Sequence, residues 1–145
     1  MKKNNIILGI LIAVWICFIW GHSMQPATVS DGESGKFLTF FASFIPFLAN
    51  NDDGMYIIRK SAHFTEYGIL GVLLCMQFSS YVKGLLKRFG NPAMCALSVA
   101  FIDETIQLFV EGRSGQVSDI WIDLAGASLG IIITLAIIGN RGGRR

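Results

Sequence analysis

Residues 119–130 read DIWIDLAGASLG and combine two acids with a run of small residues inside an apolar stretch. Asp119 and Asp123 are one helical turn apart, so they share a face of any helix formed here. Gly126 and Gly130 form a GxxxG pattern, which allows a neighbouring helix to approach closely. The stretch therefore predicts a membrane-spanning helix that carries acids near its beginning and packs on another span of the same chain rather than in a dimer.

Three further stretches are long enough to cross a bilayer core, which takes about 20 helical residues. The four predicted spans cover about residues 5–24, 56–81, 92–110 and 119–138. The first is expected to be an uncleaved anchor, because the residues that follow it supply no clear small-x-small cleavage site. Only 15% of the residues are charged and 52% are hydrophobic, whereas a typical soluble domain has about 25% charged residues. We therefore expect an all-α membrane protein, a four-transmembrane-helix bundle forming a single domain over residues 1–145.

The basic residues predict the orientation of this bundle, since basic loops stay in the cytoplasm. Three segments on one side contain bases and no acids: Lys2 and Lys3; Lys83, Lys87 and Arg88; and Arg141, Arg144 and Arg145. Both termini are therefore expected to be cytoplasmic. The other side carries the remaining four bases and all ten acids. Gly90-Asn91-Pro92 is expected to form the inner turn, with proline at the start of the third span. No dense basic run lies among the folded segments, so a nucleic-acid partner is not expected.

The long outer loop, about residues 25–55, is expected to contain a short amphipathic helix. Its apolar residues recur at helical spacing: Phe37, Phe40, Phe41, Phe44, Phe47 and Leu48. This helix would lie in the membrane interface or pack as a lid over the bundle. Residues 50–54 read NNDDG and are expected to form a polar turn.

Polar residues interrupt the spans at a shared depth. The second span carries Lys60, His63, Glu66 and Tyr67, and the third carries Asp103, Glu104 and Gln107. At 1.5 Å per residue, Glu66 lies about 13 Å below Ile57, and Asp103 lies about 11 Å below the outer loop. Together with the acids of the fourth span, these residues are expected to meet in the outer half of the membrane.

Two interpretations of this coincidence are open. A charge at the membrane centre costs at least about 2.5–3.5 kcal/mol, so such residues usually pair or face a cavity. In the first interpretation Arg59, Lys60 and Arg113 neutralise the acids in a network that only holds helices together. In the second, the polar residues line an outward-open site. The second is favoured, because there are more polar groups than helix association needs.

The motifs resemble, in their order, the signature of VanZ-like membrane proteins. They are Arg59-Lys60-x-x-His63-x-x-Glu66-Tyr67, Asp103-Glu104-x-x-Gln107, Gly112-Arg113-x-x-x-x-x-Asp119 and Gly126-x-x-x-Gly130, with Trp15 followed by Ser23, Gln25 and Ser30 as an opening. Asp123 departs from the pattern, since the family often has asparagine there. The resemblance implies a multi-pass protein of the bacterial cytoplasmic membrane. It also implies a link to resistance against teicoplanin, a lipidated glycopeptide, but no particular reaction.

The first functional hypothesis is an enzyme or carrier that acts on an envelope lipid or cell-wall precursor headgroup at the outer leaflet. Lys60 and Arg113, with Arg59 at the mouth, would hold a phosphate or pyrophosphate. His63 would act as the general acid–base. The acids would orient these groups or bind a divalent cation through hard oxygens. The residues assigned to catalysis are His63, Glu66, Asp103 and Glu104, and those assigned to substrate binding are Arg59, Lys60, Tyr67, Gln107, Arg113, Asp119, Ser23 and Gln25.

The second hypothesis is a non-catalytic binding or scaffold protein. Such a protein would recognise a cell-wall precursor or a lipidated antibiotic and limit the access of the drug to the cell surface. The aromatic helix of the outer loop would contact acyl chains, while the polar cavity would hold a headgroup. His22 is expected to be only an interfacial residue. A binder should lose function gradually as single acids are changed, whereas an enzyme should collapse at one or two positions.

Overall fold

The computed structural model describes residues 2–45, 47 and 53–142, and this part of the chain contains five α-helices and no strand. The helices are α1 (Lys2–Ser23), α2 (Ala27–Ala42), α3 (Gly54–Ser79), α4 (Leu85–Gln107) and α5 (Val117–Gly142). Over the described residues the all-α prediction is confirmed. Helix α3 packs on α5, α4, α1 and α2. We call the end of the bundle where α1 and α4 finish and α3 and α5 begin the outer end, after the predicted orientation.

Two of the helices are long and apolar enough to cross a membrane. They are Lys3–Ser23 within α1 and Val117–Ile138 within α5, with mean hydropathies of 2.2 and 2.1. Helices α3 and α4 contain 26 and 23 residues, and at 1.5 Å per residue they are about 39 and 34 Å long. Their charged residues make them less apolar than α1 and α5. The four-span topology and the cytoplasmic termini stay predictions.

The contact between α3 and α5 is the closest in the bundle, and glycines allow it. Gly126 faces the backbone carbonyl of Phe64, and Gly130 faces that of Gly68. A Cβ atom at either position of the GxxxG motif would meet backbone atoms of α3. The motif therefore packs two helices of the same chain, and this prediction is confirmed.

Apolar side chains occupy both the middle and the outside of the bundle. The fully buried apolar residues include Ile19, Tyr67, Leu70, Cys75, Ala96, Ala100, Ala127 and Ile131. Large apolar side chains on every helix also face outward, among them Ile10, Phe40, Phe101 and Ile132. An exposed apolar surface of this kind is typical of a protein that contacts lipid or another apolar partner.

The turn between α3 and α4 lies earlier than the sequence predicted. The chain turns at Gly84, whose φ of 90° favours glycine, and α4 continues through Gly90 and Asn91. Pro92 therefore lies inside α4, where it removes the N–H that would bond the carbonyl of Arg88. The thiol of Cys75 lies 3.8 Å from that carbonyl and replaces part of the missing bond. The predicted turn at Gly90-Asn91-Pro92 is wrong. Helix α4 continues through the proline because Cys75 of α3 contacts the carbonyl that the proline leaves free.

The outer-loop helix also lies earlier than predicted. Helix α2 begins at Ala27 and ends at Ala42, so Phe44 and Phe47 lie beyond it. Ser30 and Ser34, one turn apart, are buried, whereas Phe37 and Phe40 are about 60% exposed. The helix thus turns a small polar face inward and an aromatic face outward. Leu48 and residues 50–52 of the predicted polar turn lie outside the described residues.

Candidate functional site

Four side chains from three helices gather at the outer end of the bundle, and we call them the buried cluster. They are His63 of α3, Asp103 and Glu104 of α4, and Asp123 of α5. One nitrogen or oxygen atom from each lies within 4.8 Å of the corresponding atom of every other member. Asp103 and Asp123 are 0% exposed.

The α3–α5 contact explains how Asp123 reaches this cluster. Asp123 is three residues before Gly126, so it lies on the face of α5 that packs on α3. Gly126 faces the carbonyl of Phe64, the residue next to His63. The glycine contact therefore holds the carboxylate of α5 beside the imidazole of α3.

The central groups of the buried cluster are close but poorly hydrogen-bonded. His63 Nδ1 lies 3.5 Å from Asp123 Oδ1 and 3.9 Å from Asp103 Oδ2, whereas a good N–H···O bond is 2.7–3.2 Å long. No described residue donates a hydrogen bond to any carboxylate oxygen of these two aspartates. The hydroxyl of the fully buried Tyr67 also has no hydrogen-bond partner among the described residues.

Glu104 differs from the two aspartates because its carboxylate is held by the surrounding backbone and amide groups. The backbone N–H of Gln116 donates to its Oε2 at 2.8 Å, and the side-chain amide of Gln107 donates to its Oε1 at 3.3 Å. The bond from Gln116 ties the outer end of α4 to the loop before α5, while the bond from Gln107 lies within α4. Ser23, at the end of α1, lies beside Asp103. Glu104 therefore has a structural role besides its place in the cluster.

Three cationic side chains, which we call the cationic rim, lie further toward the outer end. They are Arg59, Lys60 and Arg113. Lys60 Nζ forms an ion pair with Asp119 Oδ2, and Arg59 Nη1 lies 3.6 Å from Asp31 Oδ1. The predicted binding residues Lys60 and Asp119 are therefore paired with each other.

Arg113 binds backbone rather than an acid. Its Nε donates to the carbonyl of Gln25 at 3.2 Å, and its Nη2 donates to that of His22 at 3.4 Å. Burial lowers the pKa of Arg113, and the neighbouring positive charge of Arg59 lowers it further. Of the five N–H donors of a guanidinium, two are therefore engaged by these carbonyls. Two like charges held together in this way favour a bound anion.

Glu66 and His22 form a separate link between helices. Glu66 Oε1 lies 3.0 Å from His22 Nδ1, and His22 Nε2 lies 3.4 Å from Glu33 Oε2. This link joins α3 to α1 and α2. His22, expected to be only an interfacial residue, thus contacts two carboxylates. The catalytic role assigned to Glu66 stays a prediction, but its carboxylate is engaged by α1 rather than placed in the buried cluster.

The structure brings together three of the four residues assigned to catalysis: His63, Asp103 and Glu104. The predicted binding residues Tyr67, Gln107 and Ser23 surround them, while Gln25 contributes its backbone carbonyl to Arg113. Sequence reasoning assigned no site role to Asp123, Asp31, Glu33 or His22. The functional roles of the predicted residues stay predictions.

A helical protein with an apolar exterior and this polar end belongs to the membrane-associated helical bundles. A family model described as VanZ/LLP1 matches residues 8–138. The chain therefore belongs to the VanZ/LLP1 family, as its motifs indicated. No curated protein and no solved structure matches the chain.

Proposed function

We propose that this protein crosses the cytoplasmic membrane four times and binds the phosphate-bearing headgroup of an envelope lipid at its outer end. The observation that carries the proposal is the half-buried Arg113 guanidinium beside Arg59, with Lys60 on the same end of the bundle. Guanidinium groups match the geometry of phosphate oxygens and can bind them through two parallel hydrogen bonds.

The donors of the cationic rim are only partly used. Arg113 engages two carbonyls, and Arg59 contacts Asp31 at the long distance of 3.6 Å while remaining about one third exposed. An ammonium group has three donors, and Lys60 directs one contact to Asp119. The remaining donors are available to a phosphate that enters from the outer side.

Apolar surfaces beside the rim support a lipid rather than a free anion. An open groove lined by Tyr56, Phe64 and Ile122 runs next to Lys60. The exposed Phe37 and Phe40 of α2 lie on the outer side of the bundle. An acyl or polyprenyl chain could pack in such a groove through dispersion contacts with these side chains, because burial from the lipid phase supplies no hydrophobic driving force. Headgroup and chain would therefore be bound by adjacent surfaces.

The proposal also accounts for the antibiotic phenotype that the family resemblance implies. Teicoplanin is a lipidated glycopeptide, so it would approach the outer leaflet, where we propose that the headgroup is held. A protein that holds an envelope lipid headgroup at the outer leaflet would change how much of that lipid the drug reaches. We therefore propose low-level teicoplanin resistance as a consequence of headgroup binding.

The binding test uses the purified full chain in detergent with three probes: farnesyl phosphate, farnesol and inorganic phosphate. Binding is measured by isothermal titration calorimetry. We expect farnesyl phosphate to bind at least about tenfold more tightly than farnesol, because a charge-assisted phosphate contact contributes about 1.5–3 kcal/mol. Inorganic phosphate alone is expected to bind more weakly than the lipid.

The matched variants compare the two ends of the bundle. Arg59→Gln and Arg113→Gln are each expected to weaken farnesyl phosphate binding about tenfold. Arg88→Gln is the control, since Arg88 is half-buried at the inner end and also donates to a backbone carbonyl, that of Val82, at 3.1 Å. Equal binding of farnesol, equal binding of inorganic phosphate, or an equal loss in Arg88→Gln would each contradict the proposal.

Whether the bound headgroup is also transformed is decided by a second measurement. Phosphate release from farnesyl phosphate, followed over hours with the wild-type chain, would support an enzyme. Teicoplanin susceptibility of cells expressing Asp103→Asn or Glu104→Gln at matched levels separates the two classes further. An enzyme should lose resistance completely in one variant, whereas a binder should lose it gradually in both.

A further inference from the structure

We infer that the buried cluster is a binding site for one divalent transition-metal cation, with Asp103, Asp123, Glu104 and His63 as its ligands. The inference is independent of the proposed headgroup binding, because it concerns groups below the cationic rim and is tested without any lipid. It rests on the charge, the spacing and the unsatisfied polar atoms of the cluster.

The charge of the cluster lacks compensation. Its three carboxylates would carry three negative charges, of which a protonated His63 would cancel one. The ammonium of Lys60, one turn before His63 on α3, is paired with Asp119, and the hydrogen bonds of Arg113 go to backbone carbonyls. Burying an unpaired carboxylate costs several kcal/mol. A divalent cation would supply the missing positive charge.

The spacing of the ligand atoms fits a single ion. Oxygen and nitrogen ligands lie about 2.0–2.2 Å from zinc, so two ligands of one ion are at most about 4.4 Å apart. In the cluster, His63 Nδ1 is 3.5 and 3.9 Å from the two aspartates, and all four ligand atoms lie within 4.8 Å of one another. Shifts of a few tenths of an ångström would therefore complete the coordination.

Buried polar groups without a hydrogen-bond partner also support a bound cation. Both oxygens of Asp103 and both oxygens of Asp123 are buried without a hydrogen-bond donor among the described residues. The hydroxyl of Tyr67, which is not one of the four ligands, is also buried and unpartnered beside these acids. Buried polar groups are nearly always satisfied. An ion with a bound water would satisfy the aspartates directly and the tyrosine through the water.

The ligand types indicate which ions to test. Carboxylate oxygens suit magnesium, calcium and manganese, while an imidazole nitrogen suits zinc, iron and nickel. Calcium requires six to eight oxygen ligands at longer distances, and magnesium keeps most of its water. Zinc and manganese are therefore the expected occupants. With Nδ1 bound to a metal, His63 would be a ligand instead of the general acid–base predicted from the sequence.

The experiment measures metal content and affinity in the full chain, purified in detergent and stripped with EDTA. Zn²⁺, Mn²⁺, Mg²⁺ and Ca²⁺ are added separately, and bound metal is quantified by mass spectrometry after gel filtration and by calorimetry. We expect one Zn²⁺ or Mn²⁺ per chain. Asp103→Asn, Asp123→Asn and His63→Gln should each weaken this binding at least about tenfold.

The control is Asp31→Asn, the same chemical change in an exposed acid of α2, and it should leave metal affinity unchanged. Circular dichroism verifies that each variant keeps its helix content, and the thermal shift of the wild-type chain gives a measurement that needs no variant. Zinc should raise the melting temperature of the wild type and of Asp31→Asn alike. Absence of bound metal in the wild type, equal binding of Ca²⁺, or an equal loss in Asp31→Asn would overturn the inference.

Discussion

Helix α3 carries two charged regions one turn apart, and they are satisfied in different ways. In the cationic rim, Lys60 forms a direct ion pair with Asp119 of α5, and both side chains keep 10–17% exposure. In the buried cluster, His63 faces Asp123 of the same helix α5 at 3.5 Å, and Asp123 is fully buried. Helices α3 and α5 are therefore joined by a direct ion pair at the rim and, one turn further in, by a longer contact between His63 and Asp123.

This difference separates a structural charge from a candidate functional charge. An ion pair near the surface is stabilised by its partner and by water, and it contributes modestly to folding. Unpaired acids in a dry environment destabilise the fold unless something else neutralises them. The charges of the rim have partners within the fold, whereas the charges of the buried cluster are those for which we propose a bound cation. The predictions below change one region and leave the other as its control.

The largest effect is expected at Gly126, on which the buried cluster depends although it carries no charge. Gly126→Ala would place a Cβ against the carbonyl of Phe64 and push α3 away from α5. We expect a loss of about 3 kcal/mol in unfolding free energy, since overpacking a close contact costs about 1–3 kcal/mol and here the neighbour is backbone. The measurement is denaturant unfolding in detergent, with metal binding as a second measurement.

Gly90→Ala is the matched control within a helix. A Cβ at Gly90 would meet no atom within 4 Å, so the substitution should stabilise α4 by about 0.5–1 kcal/mol through helix propensity. The two alanine variants should therefore change stability in opposite directions. A Gly126→Ala variant as stable as the wild type would mean that the α3–α5 contact does not hold the cluster together.

A smaller loss is expected when the rim pair is broken. Lys60→Met keeps the length of the side chain and leaves Asp119 without its cation. Breaking a fully buried pair costs about 3–5 kcal/mol, and the residual exposure of this pair reduces the expected loss to about 2 kcal/mol. Thermal unfolding measures this loss, and metal binding should remain.

The double variant Lys60→Met with Asp119→Asn tests the cause of that loss. If the loss comes from the unpaired carboxylate, removing the second charge should recover most of it, as a double-mutant cycle would record. A double variant that is destabilised by the sum of both single losses would instead assign the effect to packing around Lys60, which also lies 5.0 Å from the ring centre of Tyr56.

The sequence predicts that polar residues of three helices meet at one end of the bundle, but it does not predict which of them form the buried cluster. Helical rise places His63 and Asp103 at a shared depth, which is a necessary condition for their contact. Rotation about the helix axis decides which side chains face inward, and it depends on the packing partner. Asp119, Asp123, Gly126 and Gly130 share one face of α5, so the GxxxG motif held the signal that Asp123 faces α3. The same motif therefore indicates both the helix packing and the orientation of Asp123.

Other features could not be predicted because they depend on partners with no distinctive pattern. Helix α1 is apolar on every side, so nothing in its sequence indicates that His22 meets Glu66 rather than lipid. The prediction of α2 rests on its aromatic residues, which face outward. Its inward face is formed by Ser30 and Ser34, which carry no distinctive pattern. The turn at Gly84 has a weaker signal, because Gly90-Asn91 followed by a proline at the start of the predicted third span favours a turn more strongly than a single glycine.

Among the test variants, the smallest change in unfolding free energy is expected at Asp123. Whether the substitution stabilises or destabilises the protein tests directly whether the buried cluster differs from the cationic rim. In EDTA, Asp123→Asn removes a buried carboxylate whose oxygens accept no hydrogen bond from a described residue, so the variant should be more stable than the wild type by about 1–2 kcal/mol. Asp31→Asn, in the exposed pair with Arg59, should change stability by less than about 0.5 kcal/mol. Both are measured by chemical unfolding in detergent at neutral pH.

Added zinc should reverse the order of wild type and Asp123→Asn, because a ligand that binds only the folded state stabilises it in proportion to its affinity. The wild type would gain stability and the variant would gain little. If Asp123→Asn is instead destabilising in EDTA, Asp123 is already neutralised within the protein, by His63 or by a shared proton. The buried cluster would then be a satisfied network like the rim, and the contrast between the two regions would disappear.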